Sequence, residues 1–241
     1  MTLRTRIQRI TTSASLLGWS ATMKVMLAHL FAYDPSKDRS FDKRFKTDTT
    51  SRVERFSLDI QEDQTKSSAE SYVSCPPKFE RHILKTLGIA YKDFDFVDMG
   101  SGKGRVLMLA SDWPFCSITG VEISKNLCAV AERNLALYPT ARRKCSSIAI
   151  RVMDARTFPI ANENTVFHFY HPFGKEILRP VLERIAARFR MSAKTVFIVY
   201  IWSQVQDLFP LFDDLNFKRL RHVQSLNTRY QYAVFAMGKT K

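Results

Sequence analysis

The chain has 241 residues and carries 37 Lys and Arg against 23 Asp and Glu, a formal net charge of +14. That length suits one α/β domain with an extension, and a hydrophobic fraction of 45% is enough for a sizeable core. No uncharged run approaches the roughly eighteen residues of a spanning helix, so no transmembrane segment is expected. Cys75, Cys116, Cys128 and Cys145 are scattered and form no C-x-x-C pair, which argues for reduced thiols in a cytoplasmic protein and against zinc or a disulfide framework. The basic excess favours nucleic acid, anionic lipid headgroups or an acidic protein face, without choosing among them.

In chain order, the first segment extends to about Tyr33. Leu16, Trp19, Met23, Met26, Leu27, Leu30 and Phe31 recur at spacings of three and four, and the pattern predicts a basic amphipathic helix. Lys24 and His29 interrupt the apolar run, so a secretory signal is disfavoured. A helix packed on the domain or on a partner is expected, with peripheral contact to an anionic surface as the alternative. Asp34-Pro35 ends it, and residues 1–40 are read as an extension. Residues 41–93 form a cap or lid segment with a leading helix at Phe79–Leu87, and residues 94–241 form the core.

Within the cap, Phe41-Asp42-Lys43-Arg44-Phe45-Lys46-Thr47-Asp48-Thr49-Thr50 reads as a structured element, followed by Tyr72-Val73-Ser74-Cys75-Pro76-Pro77. Cys75 lies at the expected mouth of the site, where exposure is anticipated but no nucleophilic role. The core begins with a strand at Phe94–Asp98. It runs into Met99-Gly100-Ser101-Gly102-Lys103-Gly104 and then an apolar helix at Arg105–Ala110. Glycine on alternate positions lets the backbone turn sharply and leaves no Cβ between the loop and a ligand. A dinucleotide fingerprint would be G-x-G-x-x-G with pyrophosphate on the helix. G-x-G-x-G, with Asp98 two residues ahead, suits a nucleoside carrying a cationic amino-acid end instead.

Further strands are expected at Ile118–Glu122, Ile148–Asp154, Val166–Tyr170 and Thr195–Tyr200, separated by helices at Lys125–Leu137 and Glu176–Phe189. Strands alternating with helices predict a parallel, doubly wound α/β sheet. Two β-prone runs, Phe217–Leu226 and Tyr230–Met237 around Asn227-Thr228-Arg229, predict a closing antiparallel hairpin. Glu122 ends the second strand about twenty residues after the glycines, where a carboxylate offers two acceptors to a ribose diol. Asp154, followed by the small Ala155, ends the third. His168 sits in an apolar alternation and reads as a strand histidine with a satisfied ring rather than a metal ligand.

The Asp98 to Gly104 segment resembles motif I of the class I, S-adenosylmethionine-dependent methyltransferases. The phrase from Phe41 to Thr50 resembles the "FDxRxGxDT" segment of one bacterial and fungal group among them, with Lys46 in place of the usual glycine. The resemblance covers residues 41 to 238 and implies a seven-stranded Rossmann-like sheet and S-adenosyl-L-methionine as cofactor. It implies a cofactor site at Asp98, Gly100, Ser101, Gly102, Gly104, Glu122, Asp154, Ala155 and Tyr170, with Asp154 near the adenine amino group. Tyr170-His171-Pro172-Phe173 resembles the Asn/Asp-Pro-Pro-Tyr/Phe turn of amino-methylating members, with His171 for the Asn/Asp. His171, Phe173 and Tyr72 are therefore the candidate catalytic residues, with Asp48 and Thr49 as further lid candidates and no metal expected. The implied reaction is methyl transfer to a nitrogen or oxygen nucleophile on a protein side chain or small metabolite. RNA or DNA as acceptor, and a non-catalytic nucleoside-binding module that docks a partner, are the alternatives.

Overall fold

A computed structural model describes residues 3–23, 26, 39–60, 67–224 and 230–238. Seven strands form one sheet: β1 (Asp95–Met99), β2 (Ser117–Glu122), β3 (Ile148–Val152), β4 (Thr165–Phe169), β5 (Val196–Ile201), β6 (Lys218–Val223) and β7 (Tyr232–Met237). Their order is β3-β2-β1-β4-β5-β7-β6. The first five strands are parallel, whereas β7 runs antiparallel between β5 and β6. β4 and β7 are buried at every position, as the apolar runs from Thr165 and Tyr232 require of strands covered on both faces. The expected hairpin is present, and its expected tip at Asn227-Thr228-Arg229 lies outside the described residues.

The sheet has two natures at its rims. β6 is an edge strand that exposes Lys218, Arg219, Leu220 and Arg221, and a charged edge discourages pairing with another chain. Part of the basic excess thus protects an edge. Another part is used internally: Arg142 bonds Asp112 at 2.7 Å and Arg143 bonds the Tyr138 carbonyl at 2.8 Å.

The helices are α1 (Leu3–Leu17), α2 (Ser40–Phe45), α3 (Pro77–Thr86), α4 (Arg105–Ala110), α5 (Lys125–Leu137), α6 (Lys175–Phe189) and α7 (Phe209–Asp214). α4 is buried along its whole length. α3 begins on a proline, which costs nothing at a position whose N–H has no helical partner. α5 is capped by Ser124, whose hydroxyl accepts from the Leu127 N–H at 3.1 Å.

The N-terminal expectation needs correction. The helix does not present one continuous stripe, because Gly18 takes a left-handed φ of +83° and interrupts it. Leu16 and Leu17 turn into the core beside Phe79, Ile83 and Leu84 of α3, while Trp19, Met23 and Met26 are exposed. Leu27, Leu30 and Phe31 lie outside the described residues. The end of α1 is therefore part of the core, whatever the rest of the extension does.

Residues 41–50 are held over the glycine loop by a buried guanidinium. Arg105, at the start of α4, donates from Nε to Thr49 Oγ1 at 2.6 Å and from its second terminal nitrogen to Thr50 Oγ1 at 2.7 Å. It also lies 3.5 Å from Asp42 and over the Phe41 ring. Asp42 in turn accepts from the hydroxyls of Thr47 and Thr49 at 2.8 and 2.6 Å and from the N–H groups of Thr49 and Thr50 at 2.9 and 2.7 Å. The turn between them puts Lys46 at φ 58°, ψ 31°, a left-handed conformation that favours glycine.

Two consequences are measurable by denaturant unfolding. Leu16→Ala should cost roughly 2–5 kcal/mol because Leu16 is fully buried, while Trp19→Ala, at an exposed position, should stay within about 0.5 kcal/mol. Asp42→Ala leaves Arg105 buried without its counter-charge and should cost about 3–5 kcal/mol. Burial raises the Asp42 pKa, but the hydrogen bonds from Thr49, Thr50 and Thr47 outweigh it and hold the group below the ordinary range. Its stabilisation is thus present above the unfolded-state value near about 4 and lost as pH falls through the lower folded value. Asp42→Asn should flatten that acid limb of the stability curve.

Candidate functional site

Strand order reverses between β1 and β4, and in open α/β sheets ligands collect at the carboxyl ends of the strands on either side of such a point. A cavity opens there, about 940 Å³ with the open solvent at its mouth included. Asp98, Gly100, Ser101, Glu122, Asp154, Ala155, Tyr170, His171, Phe173 and Tyr72 all line it. The expected site residues that do not are Gly102 and Gly104, together with Asp48 and Thr49.

The glycines serve close approach of protein groups more than open access for a ligand. A Cβ on Gly102 would lie 2.3 Å from the Tyr72 ring, and one on Gly100 would lie 2.3 Å from Pro172 Cβ. Tyr72 therefore packs closely against the loop, its hydroxyl donating to the Thr49 carbonyl at 2.8 Å. Gly104 faces Ala131 of α5. Beside the loop, Lys103 bonds Asp48 at 3.0 Å, so Asp48 and Thr49 hold the covering segment from outside the cavity.

Glu122 braces the loop against α5. One carboxylate oxygen accepts from the Gly102 N–H at 3.0 Å and the other from the Ser124 N–H at 2.9 Å. Burial raises its pKa against these two bonds. Each oxygen has a second lone pair, so acceptor capacity toward the cavity remains. Asp154 is gripped by Arg156 at 2.6 Å and caps the following turn through the Arg156 N–H at 2.7 Å. Its pKa is lowered: burial opposes the shift and the Arg156 bonds override it.

The far wall comes from residues 53–60 and 67–75, which sequence reasoning placed only loosely in the cap. Leu58, Ile60 and Ala69 pack with Leu127, against Ile123 and Tyr72. Asp59 fastens this wall to the start of α5, bonding Ser124 Oγ and the Asn126 N–H. A lone Asp between two apolar residues was the available signal, and it carries no spacing that names a partner.

On the opposite side, His171 adopts φ 40°, an outlier for a residue preceding proline. It stacks on Trp202, with ring centroids 4.2 Å apart, and its Nδ1 lies 3.1 Å from the Tyr200 hydroxyl. Burial lowers its pKa to about 4, so the ring is neutral at physiological pH and not poised near neutrality as its reference value implied. Phe173 is buried edge-on to Phe169.

Cys75 is buried, contrary to the exposure expected of it, because the chain turns inward ahead of Pro76 and its thiol lies 3.5 Å from Glu80. Burial, then the neighbouring Glu80 carboxylate, push its pKa well up. A thiol in this state is no nucleophile. The ring of His168 is satisfied, as expected, but by two acids: Nδ1 lies 2.7 Å from Asp98 and Nε2 lies 3.1 Å from Glu80. Glu80 carried no sequence signal, since a Glu in the first turns of a helix is commonplace. Among the described residues no group of three or more potential ligands is placed to hold a metal ion, and no helix is long and apolar enough to cross a membrane.

Comparison with known proteins agrees with this geometry. Residues 57–156 match the family model of histone methylation protein DOT1. No curated protein is similar enough in sequence to count as a relative. Among solved structures, magnesium protoporphyrin IX methyltransferase from Synechocystis is similar with a TM-score of 0.51 at 10% identity, over 86% of this chain and 98% of that one. A ribosomal protein L11 methylase from Lactobacillus delbrueckii subsp. bulgaricus gives 0.50 at 14% identity, over 76% and 82%. A putative RNA methyltransferase from Pyrococcus horikoshii gives 0.50 at 16% identity, over 69% and 86%. In its sheet order and its antiparallel final strand the chain shares the seven-stranded, Rossmann-like fold of these methyltransferase structures.

Proposed function

We propose that this chain transfers a methyl group from S-adenosyl-L-methionine to a nitrogen or oxygen nucleophile, with a protein side chain favoured over a small metabolite. The observation that carries the reading is the set of three acids, Asp98, Glu122 and Asp154, meeting in one cavity at the ends of β1, β2 and β3. The residues fit the cofactor. Ser101 Oγ is buried with no hydrogen-bond partner among the described residues, and Glu122 keeps acceptor capacity for a ribose diol. Asp98 would receive the cationic amino-acid end, Glu122 the ribose, and Asp154 with Ala155 the adenine, against the apolar wall of Leu58, Ile60 and Leu127. The cofactor, when bound, supplies a methyl group already activated on a sulfonium.

What remains for the chain is alignment and a path for the acceptor's proton. Tyr170, His171 and Phe173 line the side facing the covering segment and would orient the acceptor. His171, neutral and with Nδ1 facing the Tyr200 hydroxyl, acts as a positioning group rather than a base titrating near neutrality. Burial of the pocket favours the neutral form of an attacking amine.

The family match supports a protein acceptor, since its description names histone methylation. Nucleic acid is the weaker reading. Arg105, Arg142, Arg143 and Arg156 are all engaged within the fold, and the exposed β6 cluster lies on the sheet rim, so charge alone does not outline a groove for a polyanion. A cytoplasmic setting and a non-catalytic, partner-docking role are the remaining readings of the sequence, the latter separable by whether labelled methyl groups are transferred.

Calorimetric titration should show binding of S-adenosylhomocysteine to the full chain, and Glu122→Ala should weaken it by about 1.5–3 kcal/mol through loss of charge-assisted bonds. Undiminished affinity in that variant would remove Glu122 from the site. For transfer, followed with labelled cofactor on lysate fractions, His171→Ala should lower the rate while leaving cofactor affinity intact. Because burial holds His171 near about 4, the wild-type rate should show no His171 inflection between about pH 5.5 and 8. A wild-type inflection near pH 6.5 that disappears in the alanine variant would make His171 the base.

A further inference from the structure

Beneath the proposed cofactor site lies a chain of buried titratable groups that methyl transfer does not itself require. Asp98 is 3% exposed, His168 1% and Glu80 0%. Asp98 and His168 are lateral partners in the β1–β4 register, at the place where strand order reverses. The imidazole bridges the two acids, with Nδ1 2.7 Å from Asp98 Oδ1 and Nε2 3.1 Å from Glu80 Oε2. Cys75, from the segment that leads into α3, donates to that same Glu80 oxygen. Phe96 packs beside the imidazole and closes it off from water.

Such an arrangement is costly unless charge is nearly balanced. An ionised carboxylate with no counter-charge would not persist here. Burial alone would lower the His168 pKa, but the attraction of Glu80 and Asp98 overcomes it and raises the value to about 10. Asp98 is the member of the three that lines the cavity, and burial raises its pKa against the attraction of His168. A cation bound in the cavity would therefore favour the ionised Asp98 carboxylate.

We infer that His168 and Glu80 are positioning residues that aim the Asp98 carboxylate at the cavity, so that the site selects ligands bearing an ammonium at the amino-acid end. The inference rests on the cofactor reading above and deepens it. It assigns selectivity for the amino-acid end to a helix and a strand that never touch the ligand. It also explains why a second acid and a histidine are buried in a parallel core where apolar residues would pack at lower cost.

The test compares two ligands that share the adenosyl part. S-adenosylhomocysteine carries the amino-acid end and 5′-methylthioadenosine lacks it. In calorimetric titrations of the full chain, Glu80→Gln and His168→Gln should each weaken S-adenosylhomocysteine at least about tenfold. Methylthioadenosine should bind the wild type and both variants within about twofold. Equal losses for both ligands, or no loss for either, would overturn the inference and leave the chain of groups as core packing. If the wild type binds neither ligand, the cofactor reading itself fails. Should His168→Gln not fold, Glu80→Gln preserves shape, and nitrogen-15 resonances of the wild-type His168 ring give an independent reading. They should respond to S-adenosylhomocysteine and not to methylthioadenosine, and an identical response to both would overturn the inference.

Discussion

Arg105 is the group on which the rest of the site depends. A guanidinium cannot shed its proton and is costly to bury unpaired, so the fold surrounds it with acceptors. These are Thr49, Thr50, the Cys75 carbonyl and, at 3.5 Å, Asp42. They come from between residues 42 and 75, whose described residues contribute no strand to the main sheet, and their convergence on the first residue of α4 brings them across the glycine loop. Tyr72 then lies on Gly102, and the wall of Leu58, Ile60 and Ala69 reaches Leu127. The cavity exists because this charge is satisfied from outside the sheet.

The two sides of the cavity follow from different physics. On the side of β2 and β3, backbone N–H groups and one arginine hold the acids: Glu122 by Gly102 and Ser124, Asp154 by Arg156. Those carboxylates are fixed before any ligand arrives, which removes part of the ordering cost of binding. On the side of β4, aromatic contact dominates, with His171 against Trp202 and Phe173 against Phe169. The outlying φ of His171 is held by that packing. One side presents fixed carboxylates and the other a packed aromatic surface.

How much of this was legible depends on whether a residue's role is local. The boundaries of α4 and α5 and the positions of all seven strands followed from short-range periodicity, because helices and strands here pack their apolar faces in the ordinary way. The β6–β7 hairpin was readable for the same reason. The N-terminal stripe was not, since one glycine at positive φ redirects the face of a helix and leaves Trp19 and Met23 outside while Leu16 goes in. Cys75 was misplaced because a thiol's exposure depends on what α3 packs against, and no neighbour in sequence tells that.

The sequence by itself determined the parallel α/β class, the glycine loop after β1 and the ordered acids at the ends of β1, β2 and β3. Each of these is written in residues close together along the chain. Only the tertiary structure decided that the glycines admit Tyr72 and Pro172, that His168 bridges Asp98 to Glu80, and that the segment from Asp42 to Cys75 closes on Arg105. Those contacts join residues 23 to 88 positions apart in bonds that form only once β1 and β4 lie side by side and the N-terminal segment has docked. Spacing along a chain carries no record of such pairings, because they are selected by the cost of leaving a buried charge or donor unsatisfied, a cost that arises only after the core has formed.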